Sequence, residues 1–154
     1  MTRPLDAANS SPIFRIGLFA LIFDDEEQIL LGHRRDIDWW NLPGGGMEAG
    51  ETVDEALRRE VREETGLEVV LEQLVGLYSK PQKQEVVLTF RCRITGGTLH
   101  PTVEIRESRY FSPNALPGNT LPKHRQRVED AMLHQQSAVI RTQRTSTEED
   151  QGIS

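Results

Sequence analysis

Cysteine occurs once in the 154 residues, at Cys92, so the chain can form neither an intramolecular disulfide nor a cysteine-based zinc cluster. No apolar run approaches the roughly 20 residues of a membrane span. The N-terminus also lacks the charged start and apolar core of an export signal. A surplus of positive charge is missing too: 18 Lys+Arg stand against 24 Asp+Glu, a formal net charge of −6. That balance argues against stable nucleic-acid binding, which needs a basic footprint. An acidic chain still handles polyanionic substrates where metal ions mediate the contact. There is no internal repeat. The expectation is a soluble, cytoplasmic, single-domain protein with no membrane and no nucleic-acid partner. At this length about two-thirds of the unfolded surface can be buried, enough for a core without staples.

The apolar pattern divides the chain. Residues 1–11 are polar and unpatterned and are expected to form a flexible tail; residues 140–154 read as a disordered C-terminal tail, leaving a domain over 12–139. Inside it, Phe14 to Phe23 reads as a buried strand, broken by Asp24 to Glu27 and followed by a second strand over Gln28 to Arg34. Trp39 to Gly50 is loop-like and carries Gly44, Gly45 and Gly46. Thr52 to Thr65 predicts a helix closed by Gly66, where a left-handed cap suits glycine. Val69 to Tyr78 and Gln84 to Ile94 predict strands, and Cys92 falls in the apolar set of the latter, as a core thiol would. Arg109 to Phe111 offers a short strand, Ser112 to Leu116 one helical turn, and Pro122 to Gln136 a last helix presenting Val128, Met132 and Leu133. Strands before and after a central helix imply an α/β fold, a mixed sheet with helices on its faces.

The first helix breaks its own amphipathic pattern. Advancing about 100° per residue from Val53 places Ala56, Leu57 and Val61 on one face. Glu60 and Glu64 fall in the middle of that face with Glu63 beside them, while Asp54, Glu55, Arg58 and Arg62 lie opposite. Burying one unpaired carboxylate costs several kcal/mol, and two neighbours repel. A solvated acidic face, paired through Asp54–Arg58, Glu55–Arg59 and Arg59–Glu63, is the bland alternative. It does not explain carboxylates on the apolar stripe. A hard divalent cation does, because three carboxylates at i, i+3 and i+4 supply oxygen ligands on one turn.

Gly45 to Leu67 reads GGMEAGETVDEALRREVREETGL. This segment resembles the Nudix box, GX5EX7REUXEEXGU with U aliphatic, at every specified position: Gly45, Glu51, Arg59, Glu60, Val61, Glu63, Glu64, Gly66 and Leu67. The resemblance implies an α/β/α sandwich around a central mixed β-sheet. It further implies a Nudix hydrolase that uses Mg²⁺, with Mn²⁺ as the alternative ion, to cleave the diphosphate of a nucleoside diphosphate linked to another group. By the same resemblance Glu60, Glu63 and Glu64 are metal ligands and catalytic carboxylates, and the Gly45 carbonyl is a further ligand. Arg59 and Glu51 are expected to pair and hold the loop on the helix. Family members often carry one more acidic residue ahead of the aromatic pair, here Tyr110-Phe111. Glu107 fits that place better than Glu104, and the general base stays open among Glu60, Glu64 and Glu107.

Substrate contacts are less sharply marked. Gly44, Gly45 and Gly46 allow close backbone approach to a phosphate. Arg34 is the preferred phosphate contact among His33, Arg34 and Arg35. Trp40 is the candidate base-stacking residue, with core packing as its alternative. Lys80 and Lys83 flank Pro81 and are candidates for a second phosphate or a ribose, whereas His124, Arg125 and Arg127 read as surface charges. Pro81 lies near the place of a proline found in members that cleave ADP-ribose, so the resemblance favours a small nucleotide substrate such as ADP-ribose or a nucleotide sugar. (d)NTPs, oxidised ones included, are the alternative, as is a non-catalytic nucleotide-binding Nudix module. Homodimerisation is common in the family.

Overall fold

The structure, a computed structural model, describes residues 11–144. Apart from Ser11, the expected N-terminal tail lies outside the described residues, as do residues 145–154. Eight strands and two helices follow one another as β1 (Arg15–Ile22), β2 (Ile29–Arg34), β3 (Trp40–Asn41), β4 (Gly44–Gly46), α1 (Val53–Thr65), β5 (Leu67–Lys80), β6 (Glu85–Gly97), β7 (Ile105–Phe111), α2 (Pro122–Ala131) and β8 (Val139–Thr142). They build a mixed five-stranded sheet, β4-β1-β6-β5-β8, and a separate antiparallel sheet, β3-β2-β7. β1 runs parallel to β6, and β5 parallel to β8.

β1 shows why the chain layers as it does. Leu18, Ala20 and Ile22 pack in one cluster with Ala56, Leu57 and Val61 of α1, together with Val69 and Cys92. The alternate residues Phe19 and Leu21 pack in a second cluster with Tyr78, Val87, Val128 and Ala131. A strand buried on both faces must be apolar throughout, and each fully buried aliphatic side chain contributes about 1.5–3 kcal/mol. One helix therefore covers each face of the mixed sheet, as expected. Cys92 sits in the first cluster, where burial pushes its thiol up to about 12.

α1 is fixed at both ends. Thr52 Oγ1 accepts the Glu55 N–H at 3.1 Å, and Glu55 Oε1 accepts the Thr52 N–H at 3.0 Å, a reciprocal cap. At the other end Gly66 is left-handed (φ 84°), and its N–H reaches Arg62 O at 2.9 Å. A Cβ there would stand 2.4 Å from Thr98 O, so glycine is required on two counts.

Several elements differ from the expectation. The glycine segment is not a free loop: β4 pairs antiparallel with Gly17–Phe19 of β1. Residues 140–144, expected in the tail, belong to the fold, because β8 adds to β5 through backbone hydrogen bonds and Gln143 is buried. That edge strand carries little apolar signal, since Ile140 is exposed. Ser112 to Leu116 forms a turn closed by Ala115 N–H to Ser112 O rather than a helical turn. α2 stops at Ala131, where Leu133 N–H turns back to Asp130 O and His134 adopts φ 51°, leaving Leu133 exposed.

Candidate active site

Glu64 is the most unusual side chain of α1. It is 6% exposed, and its Oε2 accepts the Gly44 N–H at 2.7 Å. Burial drives its carboxyl up to about 8 against that hydrogen bond, and the neighbouring Glu60 and Glu104 push the same way. Glu60 is largely buried one turn earlier; burial raises it too, opposed by the Arg59 guanidinium. Glu63 is more exposed, 3.3 Å from Arg59 Nη1. The periodicity thus placed Glu60 and Glu64 correctly: both turn inward.

Arg59 ties the box together. Its Nε donates to Glu51 Oε2 at 2.6 Å and its Nη2 to Glu51 Oε1 at 3.0 Å, a two-pronged pair. Nη2 also reaches Gly46 O at 3.2 Å, and Nη1 bridges Glu60 at 3.0 Å and Glu63 at 3.3 Å. The guanidinium lowers Glu51 from its ordinary value. Of the expected i, i+4 pairs, Asp54–Arg58 and Arg59–Glu63 form, whereas Glu55 is engaged in the cap.

These carboxylates open onto a cleft of about 740 Å³ lined by Gly44, Gly45, Arg59, Glu60, Glu63 and Glu64, and across from them by Arg34, Asn41 and Glu104. Arg34 is held by Asp36 through 2.9 and 2.6 Å contacts, and it lowers Glu64 slightly from across the cleft. Gly44 and Gly45 bring backbone to the floor. A Cβ on Gly44 would meet Leu18 O at 2.1 Å, and one on Gly45 would meet the Glu60 carboxylate at 2.6–2.7 Å. Gly46 lies just beyond, exposed, with nothing within 4 Å of a Cβ.

Two sequence expectations need correction. Glu107 does not reach this cleft. On β7 it stands opposite His33, on the sheet face that carries Leu31 and Trp40 and not on the α1 face, and it pairs with Arg109 at 2.8 Å. A register shift between His33 and Arg34 turns the strand, so Ile105 and Glu104 face the glutamates instead. Trp40 is no free stacking platform. It is 7% exposed, stacked on His33 at 4.6 Å and edge-on to Phe111 at 5.0 Å, in the second core cluster. Asn41 and Glu104 carried no decisive signal, because isolated polar residues in loops and short strands are common.

A second cleft of about 880 Å³ lies on the other side of the glycine strand, lined by Phe14, Ile16, Met47, Lys80, Lys83 and Glu85 among others. The clefts meet at Phe19, Gly45 and Glu48. His124 and Arg127, read as surface charges, are fully buried behind it. His124 Nδ1 accepts the Leu42 N–H at 2.9 Å and its ring meets Phe19 edge-on. Arg127 lies over the Phe19 and Tyr78 rings and donates to Gln143 at 3.0 Å. Arg125 donates to Pro117 O at 2.7 Å. No helix among the described residues is long and apolar enough to cross a membrane.

The donor set of the acidic cleft is carboxylate and carbonyl oxygen, the ligand type that suits hard divalent ions. The absent Cβ of Gly45 leaves its backbone against Glu60, a cradle that any side chain would fill. Among the described residues no three acidic, histidine or cysteine side chains stand in finished ligating geometry; Arg59 Nη1 lies between Glu60 and Glu63 instead. The residues therefore fit an ion chemically, with the Arg59 cation neutralising part of the cluster.

The family model for the NUDIX domain matches residues 13–134. A Bacillus subtilis protein named "Putative 8-oxo-dGTP diphosphatase" is 35% identical over 115 residues, 74% of this chain and 77% of that protein. An ADP-ribose pyrophosphatase of Methanocaldococcus jannaschii is 36% identical over 103 residues, 62% of this chain and 61% of its own. Among solved structures, an ADP-ribose pyrophosphatase of Streptococcus suis superposes with a TM-score of 0.69 at 26% identity, covering 85% of this chain and all of that one. With the box complete, its glutamates turned into a cleft and the family model spanning most of the fold, the chain belongs to the Nudix hydrolase family.

Proposed function

We propose that the acidic cleft hydrolyses the diphosphate of a nucleoside diphosphate linked to another group. The observation that carries this is Glu64, a carboxylate 6% exposed and raised to about 8, beside Glu60 and facing Glu104. Such a group is costly to leave charged unless a cation or a reaction uses it. Glu60, Glu63, Glu64 and the Gly45 carbonyl would hold Mg²⁺ or Mn²⁺, which supplies neutralisation of phosphate oxygens and a more acidic bound water. Arg34, fixed by Asp36 on the opposite wall, binds a phosphate oxygen. Gly44 and Gly45 let the phosphates lie close to the main chain. Glu64 or Glu104 accepts the proton of the attacking water in this reading, which is supported by both lining the acidic cleft, whereas Glu107 does not line it. Arg59 and Glu51 position the glutamates and do not touch substrate.

Beyond the diphosphate the substrate carries either a sugar, as in ADP-ribose or a nucleotide sugar, or a further phosphate, as in a (d)NTP, oxidised forms included. Relatives named for each kind stand at nearly equal identity, 35% and 36%. The complete set of box glutamates favours turnover over a non-catalytic binding module. A panel holding ADP-ribose, nucleotide sugars, (d)NTPs and 8-oxo-dGTP, assayed for phosphate-bearing products with Mg²⁺ or with EDTA, tests the reading. Metal-dependent turnover of at least one member is expected. Binding without turnover across the panel would make the protein a nucleotide-binding module.

A further inference from the structure

Lys80 and Glu85 end β5 and open β6 in direct cross-strand register, with Lys80 Nζ 2.8 Å from the Glu85 carboxylate. Both line the second cleft. Lys80 is 2% exposed and the Glu85 side chain 17%. Burying such a pair is no gain for stability: well-packed apolar residues of similar size do as well or better. Here the cost is increased, since burial lowers the Lys80 ammonium and Arg127 and Lys123 add like charge. Space is nonetheless kept for the pair, because a Cβ on Gly17 would press on Glu85 Oε2 at 3.1 Å.

What the pair offers a ligand is a fixed donor beside a fixed acceptor on a wall that Ile16, Phe19 and Met47 make apolar. An ammonium only donates and a carboxylate only accepts. Purine edges differ in that respect. Guanine sets the O6 acceptor beside the N1–H and N2–H donors, whereas adenine sets an N6–H donor beside the N1 acceptor. The half-exposed Phe14 gives an aromatic face at the rim. Because the clefts meet at Phe19, Gly45 and Glu48, a base in the second cleft leaves its diphosphate at the acidic one.

We propose that Lys80 and Glu85 select a 6-oxopurine base, Lys80 Nζ donating to O6 and the Glu85 carboxylate accepting from N1–H and N2–H. The inference rests on the nucleotide-hydrolase reading and narrows it to guanine nucleotides, whatever group lies beyond the diphosphate. With its diphosphate held at the acidic cleft, adenine must turn over to set N6–H against Glu85 and N1 against Lys80. It then makes two hydrogen bonds where guanine makes three, so the pair discriminates by hydrogen bonding rather than by size.

Calorimetric binding of GDP, IDP and ADP to the full chain in Mg²⁺ tests this. GDP is expected to bind about tenfold or more tightly than ADP, with IDP between them because it lacks only the 2-amino group. Glu85→Gln should bring GDP and IDP together. The double variant Lys80→Met/Glu85→Leu, which replaces the ion pair by apolar volume and so keeps the fold, should bring the GDP-to-ADP ratio close to one. Equal binding of GDP and ADP by the wild type, or an unchanged ratio in the double variant, would overturn base selection. Hydrolysis of GTP, ATP, a GDP-linked sugar and ADP-ribose, assayed in parallel with Mg²⁺, keeps the two readings apart. Turnover of both bases at equal rates refutes only the selection, whereas guanine-selective binding without any turnover supports it and refutes the enzymatic reading.

Discussion

Glu64 Oε2 accepts the Gly44 amide N–H at 2.7 Å, joining the inward face of α1 to the glycine strand. The carbonyl oxygen of a neutral carboxyl still accepts this N–H, less strongly than a carboxylate, and the amide oxygen of Glu64→Gln does the same, so that variant keeps the hydrogen bond and the volume. We expect that variant to melt at or above the wild-type temperature in the absence of metal, while kcat falls about 100-fold or more. Full activity with an unchanged melt would remove Glu64 from the reaction.

The same carboxyl sets a pH dependence. Unfolded, it releases its proton near its ordinary 4.5; folded and metal-free, near 8. Between these values the folded state binds more protons, so the Glu64 contribution to stability is full below the lower value and is lost as pH rises through the upper one. Thermal melts in EDTA should therefore lose stability over that window, and Glu64→Gln should flatten the loss. Mn²⁺ takes the proton's place, so its stabilising effect should grow with pH. A melt curve that is the same in wild type and variant contradicts the assignment.

Gly45→Ala is expected to fold and to lose activity. Its Cβ would fall 2.6–2.7 Å from the Glu60 carboxyl group, which must then swing away from the cleft floor. A drop of about tenfold or more in kcat, with a melt within a few degrees of wild type, is the expected pair of results. Near-normal kcat would show that the position of Glu60 against the main chain is unimportant.

Glu104→Gln and Glu107→Gln should separate cleanly. Glu104 raises both Glu60 and Glu64 through space, whereas Glu107 is paired with Arg109 on the other face of β7. Steady-state kinetics should show a loss of about tenfold or more for the first and little change for the second. The reverse pattern would restore Glu107 to the site.

That last pair also marks where sequence reading stopped. α1 was legible because its apolar period, its C-terminal glycine and the inward glutamates all pointed to one face, and Arg59–Glu51 followed from the resemblance. Counting back from Tyr110-Phe111 assumed an unbroken strand, and the register shift at His33/Arg34 moved the cleft-facing carboxylate to Glu104. Glycines carry no side-chain pattern, so β4 looked like a loop although its backbone pairs with β1. β8 is a short edge strand whose order comes from backbone pairing, which polar composition does not reveal. His124 and Arg127 are charged-type residues on a helix, and only the fold shows that they pack against Phe19.

Manganese titration by calorimetry reaches the central claim most directly, because it needs no substrate. The inward carboxylates predict Mn²⁺ binding to the wild type that weakens about 100-fold or more in Glu60→Gln/Glu64→Gln while that variant stays folded. Equal Mn²⁺ affinity in wild type and variant, or no binding to either at neutral pH, would contradict it.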